Sequence, residues 1–113
     1  MKIVKDALSL DELKAMATAG FGNLVKAVVD LDKGLLAVDA ELHSDLEAFL
    51  LDNGSSPRSL WGINLYPEIK GYDFIEFDSM INMRPSSGNS SRGVDNEDTR
   101  KKIIALVAKR IRR

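Results

Sequence analysis

The chain has 113 residues, of which 44% are hydrophobic and 29% charged, and its formal net charge is −1. That length supports one hydrophobic core rather than two, so residues 1–113 read as a single domain. The near-cancelled charge argues against a general nucleic-acid binder, and the absence of Cys excludes a disulfide framework and thiolate chemistry.

The start, MKIVKDALSLDE, turns acidic where a signal peptide would need an apolar run. No apolar stretch approaches the roughly 20 residues that span a bilayer. A cytoplasmic protein without membrane contact is expected. The charge is unevenly spread. Residues 1–53 carry 5 Lys and 10 acids, whereas residues 54–113 carry 11 Lys and Arg and 7 acids.

Met1–Val4 is a short apolar start that suits an edge strand. Ser9 and Glu12 have the spacing of a capping box, with Leu8 and Leu13 placed to staple it. Leu10, Leu13, Met16 and Ala17 form the apolar stripe of the helix that follows, which Gly20 ends. Asn23–Leu31 reads as a strand in which Val25, Ala27, Val29 and Leu31 share a face. Asp32-Lys33-Gly34 is a short turn, and Leu35–Asp39 pairs back as the second arm of a hairpin.

Glu41–Asn53 reads as a helix with Leu42, Leu46, Phe49 and Leu50 at helical spacing, stopped at Asn53-Gly54. Ser59–Tyr66 reads as a strand with Trp61, Ile63 and Leu65 on one face and Gly62, Asn64 and Tyr66 on the other. Trp61 is expected to be largely buried. Asp73–Asp78 and Met80–Arg84 alternate like strands, with Asp78-Ser79 a bulge or turn between them. Pro85–Gly93 is a loop by composition. Asp95–Ile111 reads as a closing helix, acidic at its start and basic at its end, with Ile104, Val107, Ala108 and Ile111 as its buried stripe. The order α-β-β-α-β-β-β-α predicts an α+β domain with a largely antiparallel sheet and about three helices.

Candidate functional residues concentrate between Leu60 and Gly93. Asn64 and Tyr66 share one strand face, and Asn82 and Arg84 share another. If those faces coincide, amides, a phenol and a guanidinium converge, and Arg suits bidentate capture of a carboxylate or phosphate. The alternative is that the Asn residues close sheet irregularities and Arg84 pairs with Glu76 or Asp78. Asn89 and Arg92 lie in the loop Pro85–Gly93, whose N–H groups suit an anion, although the spacing of a phosphate-binding P-loop is absent. His43 and Glu47 are neighbours on a helix, with Asp45 between them in sequence. They form an alternative metal set, short of the three protein ligands of a catalytic zinc; a solvated face is the competing reading. The basic C-terminal residues Lys101, Lys102, Lys109, Arg110, Arg112 and Arg113 read as a solvated face. No cofactor motif is legible, and none is expected.

The segments ELHSDLEAFLLDNGS, LWGINLYPE and DFIEFDSMINMRPSSGNSSRG, in this order, resemble a small prokaryotic family of uncharacterised proteins, a domain of unknown function. LWGINLYPE and SMINMRPSSGN are the motifs that carry the resemblance. It implies that residues 41–93 form one unit, and it brings no activity with it. In that family's pattern an Arg follows the Gly-Asn pair. Here Ser90 stands in that place, and Arg92 would have to substitute for it.

The leading expectation is a small binding domain for an anion such as a nucleotide, phosphate ester or carboxylate, held by Asn64, Tyr66, Asn82, Arg84, Asn89 and Arg92. One alternative is a protein-interaction module forming a homodimer. Another is a metal-dependent hydrolase centred on His43, Asp45 and Glu47.

Overall fold

The computed structural model describes residues 1–113. Its elements are β1 (Lys2–Val4), β2 (Leu8–Ser9), α1 (Leu10–Ala19), β3 (Val25–Asp30), β4 (Leu35–Val38), α2 (His43–Asp52), β5 (Leu60–Leu65), β6 (Ile75–Glu76), α3 (Glu97–Arg110) and β7 (Ile111–Arg112). Five strands form an antiparallel sheet in the order β1-β4-β3-β5-β6, and β2 pairs parallel with β7 in a separate two-stranded sheet. This is the expected α+β class, with three helices and a largely antiparallel sheet.

Short-range chemistry sets the element ends. Ser9 Oγ accepts the Glu12 N–H at 3.0 Å and donates to Glu12 Oε1 at 3.2 Å, which closes the expected capping box. In the β3–β4 turn, Asp30 accepts the Lys33 N–H at 3.0 Å and the Ser55 hydroxyl at 2.6 Å. Gly34 there sits at φ +67°, a conformation that Gly adopts without penalty. Asn96 caps α3 by accepting the Thr99 N–H.

The sheet is covered on both faces. Ala27, Val29, Leu36, Val38, Ile63 and Leu65 meet α1 and α3. On the other face Val28, Leu35, Ala37 and Leu60 meet Leu46 and Leu50 of α2. β3 and β4 are therefore apolar at nearly every position, because helices lie on both sides of them.

Three sequence expectations change. Met80–Arg84 is not a strand: residues Met80–Asn82 form a 3-10 turn, begun by Ser79 Oγ accepting the Ile81 N–H at 3.3 Å. Asp73–Asp78 contributes only the two residues of β6, because Gly71–Phe74 coils into another 3-10 turn. The buried residues of α3 are Ile103 and Val107, with Leu106 partly buried, while Ile104 is 42% exposed. Both stripes fit a helical period. Val107 and Ile111 of the expected stripe are buried, but Ile111 lies beyond the helix, paired as β7.

Candidate functional site

The polar residues after β5 form a plug on the sheet. Asn82 is fully buried, and its side chain replaces a missing stretch of strand. Its Oδ1 accepts the Gly62 N–H at 2.8 Å, and its Nδ2 donates to the carbonyls of Gly62 and Arg92, each at 2.9 Å. Asn89 is 4% exposed and ties the following loop together. Its Nδ2 donates to the carbonyls of Asn82, Ser91 and Gly93, and its Oδ1 accepts the Asp95 N–H. Backbone bonds from Arg84 to Asn89 and back close the tight turn between them, with Gly88 left-handed at φ +86°.

The loop's hydrogen-bond donors already face an anion, and that anion belongs to the chain. Asp95 accepts the Ser90 N–H at 2.8 Å and the Ser91 hydroxyl at 2.5 Å. These two bonds, Ser91 first, hold the Asp95 carboxyl below its ordinary range. Arg92 Nε is ion-paired with Asp78 at 2.6 Å. Arg84 pairs with neither Glu76 nor Asp78. Its guanidinium lies over the Trp61 ring at 4.2 Å and donates to the carbonyls of Pro57 and Leu60. Trp61 is partly buried and packs against the core, with Arg84 supplying part of its cover.

The remaining candidates lie on the α2 side of β5. Asn64 Nδ2 and Tyr66 OH both donate to Glu76 Oε1, at 2.8 and 2.9 Å. Burial, and then the Glu76 carboxylate, push the Tyr66 phenol up. His43 is buried, and its Nε2 lies 2.8 Å from the Ile63 carbonyl. A carbonyl only accepts, so Nε2 carries the hydrogen. Asp45 is exposed, and the Glu47 charge acts on Arg84. His43, Asp45 and Glu47 therefore do not gather. No group of three or more His, Asp and Glu side chains is placed to hold a metal ion.

His43 is neither solvated nor aimed at a ligand; it is a core histidine. Burial pushes its imidazole below the ordinary value, against the opposing effect of the Ile63 carbonyl. A histidine protonated more readily when unfolded stabilises the fold fully above about pH 6.5. That contribution is lost as pH falls from there through the lower folded value. The urea midpoint should therefore be flat above about pH 6.5 and decline below it, and the decline should flatten in His43→Gln. Equal slopes in parent and variant between pH 7 and 5 would remove this role.

A separate concavity lies between the C-terminal half of α3 with β7 and the segment from Lys70 to Ile75. It is an open groove of about 790 Å³. Its floor is apolar, formed by Phe74, Ile75, Ile104, Val107 and Ile111. Four cations surround it, Lys70, Lys109, Arg112 and Arg113, and no acidic side chain lines it. The Arg113 guanidinium lies 4.5 Å from the centre of the Phe74 ring. The sequence shows the basic C-terminus but not its counterpart, because Lys70 and Phe74 are some forty residues away.

The chain belongs to the DUF5674 family, described as a protein of unknown function, whose model matches residues 2–110. The family match extends the motif resemblance over nearly the whole chain. No curated protein and no solved structure matches it. No helix is long and apolar enough to cross a membrane.

Proposed function

We propose that the protein is a binding domain for a small anion, and that the ligand occupies the groove between α3 and the Lys70–Ile75 segment. The observation that carries this reading is the lining: an apolar floor under four cations, with no acidic side chain among them. Its volume falls in the range of about 300–1,000 Å³ that small-molecule sites occupy. Arg112 and Arg113 supply planar donor forks that suit a carboxylate or phosphate. The loop from Arg84 to Arg92 is a weaker host, since Asp78 and Asp95 already neutralise it from within. A nucleotide, a phosphate ester and a carboxylate share the chemistry the groove selects.

The test is titration of inorganic phosphate, AMP and octanoate, followed by backbone amide NMR. Amides at 70–75 and 104–113 should move at millimolar ligand. Each lost charge-assisted contact is worth about 1.5–3 kcal/mol, so Arg112→Glu with Arg113→Glu should weaken binding at least tenfold. If those amides stay still, or only the 84–92 amides respond, the groove is not the anion site.

The interaction-module reading has one observation of its own. Tyr72, within the segment that borders the groove, is 96% exposed, and Ile69, just before that segment, is 41% exposed. An exposed Tyr beside an apolar patch is the usual make-up of an interface hot spot.

A further inference from the structure

The groove also holds an open backbone edge. β6 is the last strand of the five-stranded sheet, and it meets β5 through Leu65↔Ile75 and Asn64↔Glu76. One step further, the Tyr66 N–H donates to the Phe74 carbonyl at 2.9 Å. Hydrogen-bonded and non-bonded pairs alternate along an antiparallel ladder. Leu65 and Ile75 are therefore a non-bonded pair, and the N–H and C=O of Ile75 point away from β5. Beyond Ile75 the edge is closed. Gly93 packs so near the Phe77 carbonyl that a Cβ there would lie 3.3 Å from it, and the Ser79 N–H donates to the Arg92 carbonyl. Across the groove, β7 pairs with β2 alone, so its second edge is also unpaired.

We propose that the groove receives an extended acidic segment of a partner protein, which adds as a strand to the edge at Ile75. This rests on the reading of the groove as an anion receiver and names the carrier of the charge. A free anion can satisfy the Ile75 N–H but leaves the carbonyl unmet. A second backbone satisfies both, and main-chain pairing is how peptides add to sheet edges. Alternation along such a segment puts apolar side chains on the Phe74 and Ile104 floor and acidic ones toward Arg112, Arg113, Lys109 and Lys70. A second copy of this chain fits less well. Its own open sheet edge, β1, carries Lys2 and is followed by Lys5, which would repel the rim, and α2, with its exposed acids, has no free backbone to pair.

The probe is a fluorescein-labelled octapeptide of alternating Glu and Val, followed by anisotropy and hydrogen exchange. Binding should weaken at least tenfold in 0.5 M salt and in the Arg112→Glu, Arg113→Glu protein, and the Ile75 amide should become protected. The same peptide N-methylated on alternate residues keeps its charge but cannot pair, and it should bind at least tenfold more weakly. If it binds as tightly as the parent, the groove reads charge and not backbone; the inference falls while the small-anion reading stands. If octapeptide, phosphate, AMP and octanoate all leave the groove unchanged, both fall. Sedimentation at twice the monomer mass, with Ile75 protected before peptide is added, would assign the edge to a second copy and overturn the partner.

Discussion

Replacing Ile103 with Asp should leave the protein without a cooperative thermal transition, whereas Ile104→Asp should melt within a few degrees of the parent. The two residues are adjacent on α3 and differ in what they face. Ile103 is 0% exposed in the core shared with Leu13, Val29 and Ile63, while Ile104 is 42% exposed beside the groove. A carboxylate at Ile103 would be buried with no ion-pair partner. Its desolvation in an apolar site costs several kcal/mol or forces it to take up a proton. A domain of this size has a total stability of only about 5–15 kcal/mol, and losing α3 would also uncover Val107 and Ile111. Circular dichroism melts of the two variants decide the matter. A folded Ile103→Asp protein, or an unfolded Ile104→Asp protein, would show that α3 presents the stripe containing Ile104 to the core.

The same contrast shows what the sequence exposes and what it hides. Signals that act within a few residues are legible: the Ser9–Glu12 capping box, the hairpin turn at Asp32-Lys33-Gly34 and the acidic-to-basic polarity of α3 all form as the spacing implies. The alternation of Met80-Ile81-Asn82-Met83-Arg84 is equally plain and leads to a strand that does not exist. Periodicity does not reveal that Ser79 begins a 3-10 turn or that a side-chain amide takes the place of the strand. His43 is misread for a related reason. Its polarity suggests water, and only the fold places the Ile63 carbonyl against it. The polar loop Pro85–Gly93 is plain in the sequence, but not that its Ser90 N–H and Ser91 hydroxyl are taken up by Asp95. The groove is hidden because residues 70–75 and 104–113, which belong to different sheets and to a helix, meet only through tertiary packing.

The second large effect is expected at Asn82. β5 needs a partner beyond β6 at Gly62, and Asn82 provides it with one side chain, giving and taking a bond with the same residue. Gly62 is part of the device. A Cβ there would meet Ser79 Oγ at 2.5 Å and Ser79 Cβ at 2.6 Å, so only Gly lets the 79–82 turn lie close enough for the amide to reach. Nδ2 also holds the Arg92 carbonyl, and the Asn82 carbonyl accepts from Asn89, so sheet edge and loop share one peg. Asn82→Ala strands the Gly62 N–H and the Gly62 carbonyl, and leaves the Arg92 carbonyl with the Ser79 N–H alone. At about 1–3 kcal/mol for each of these two buried groups left unmet, the loss should reach roughly 2–6 kcal/mol. Asn82→Asp keeps the acceptor for the Gly62 N–H but turns a carboxylate oxygen toward two carbonyls, so it should be no better. Urea unfolding gives the stability, and hydrogen exchange locates the change, which should appear at Gly62 and in residues 84–95. If Asn82→Ala unfolds within about 0.5 kcal/mol of the parent, the size of an ordinary surface substitution, the amide is not the peg and the loop is held by Asn89 and Asp95 alone.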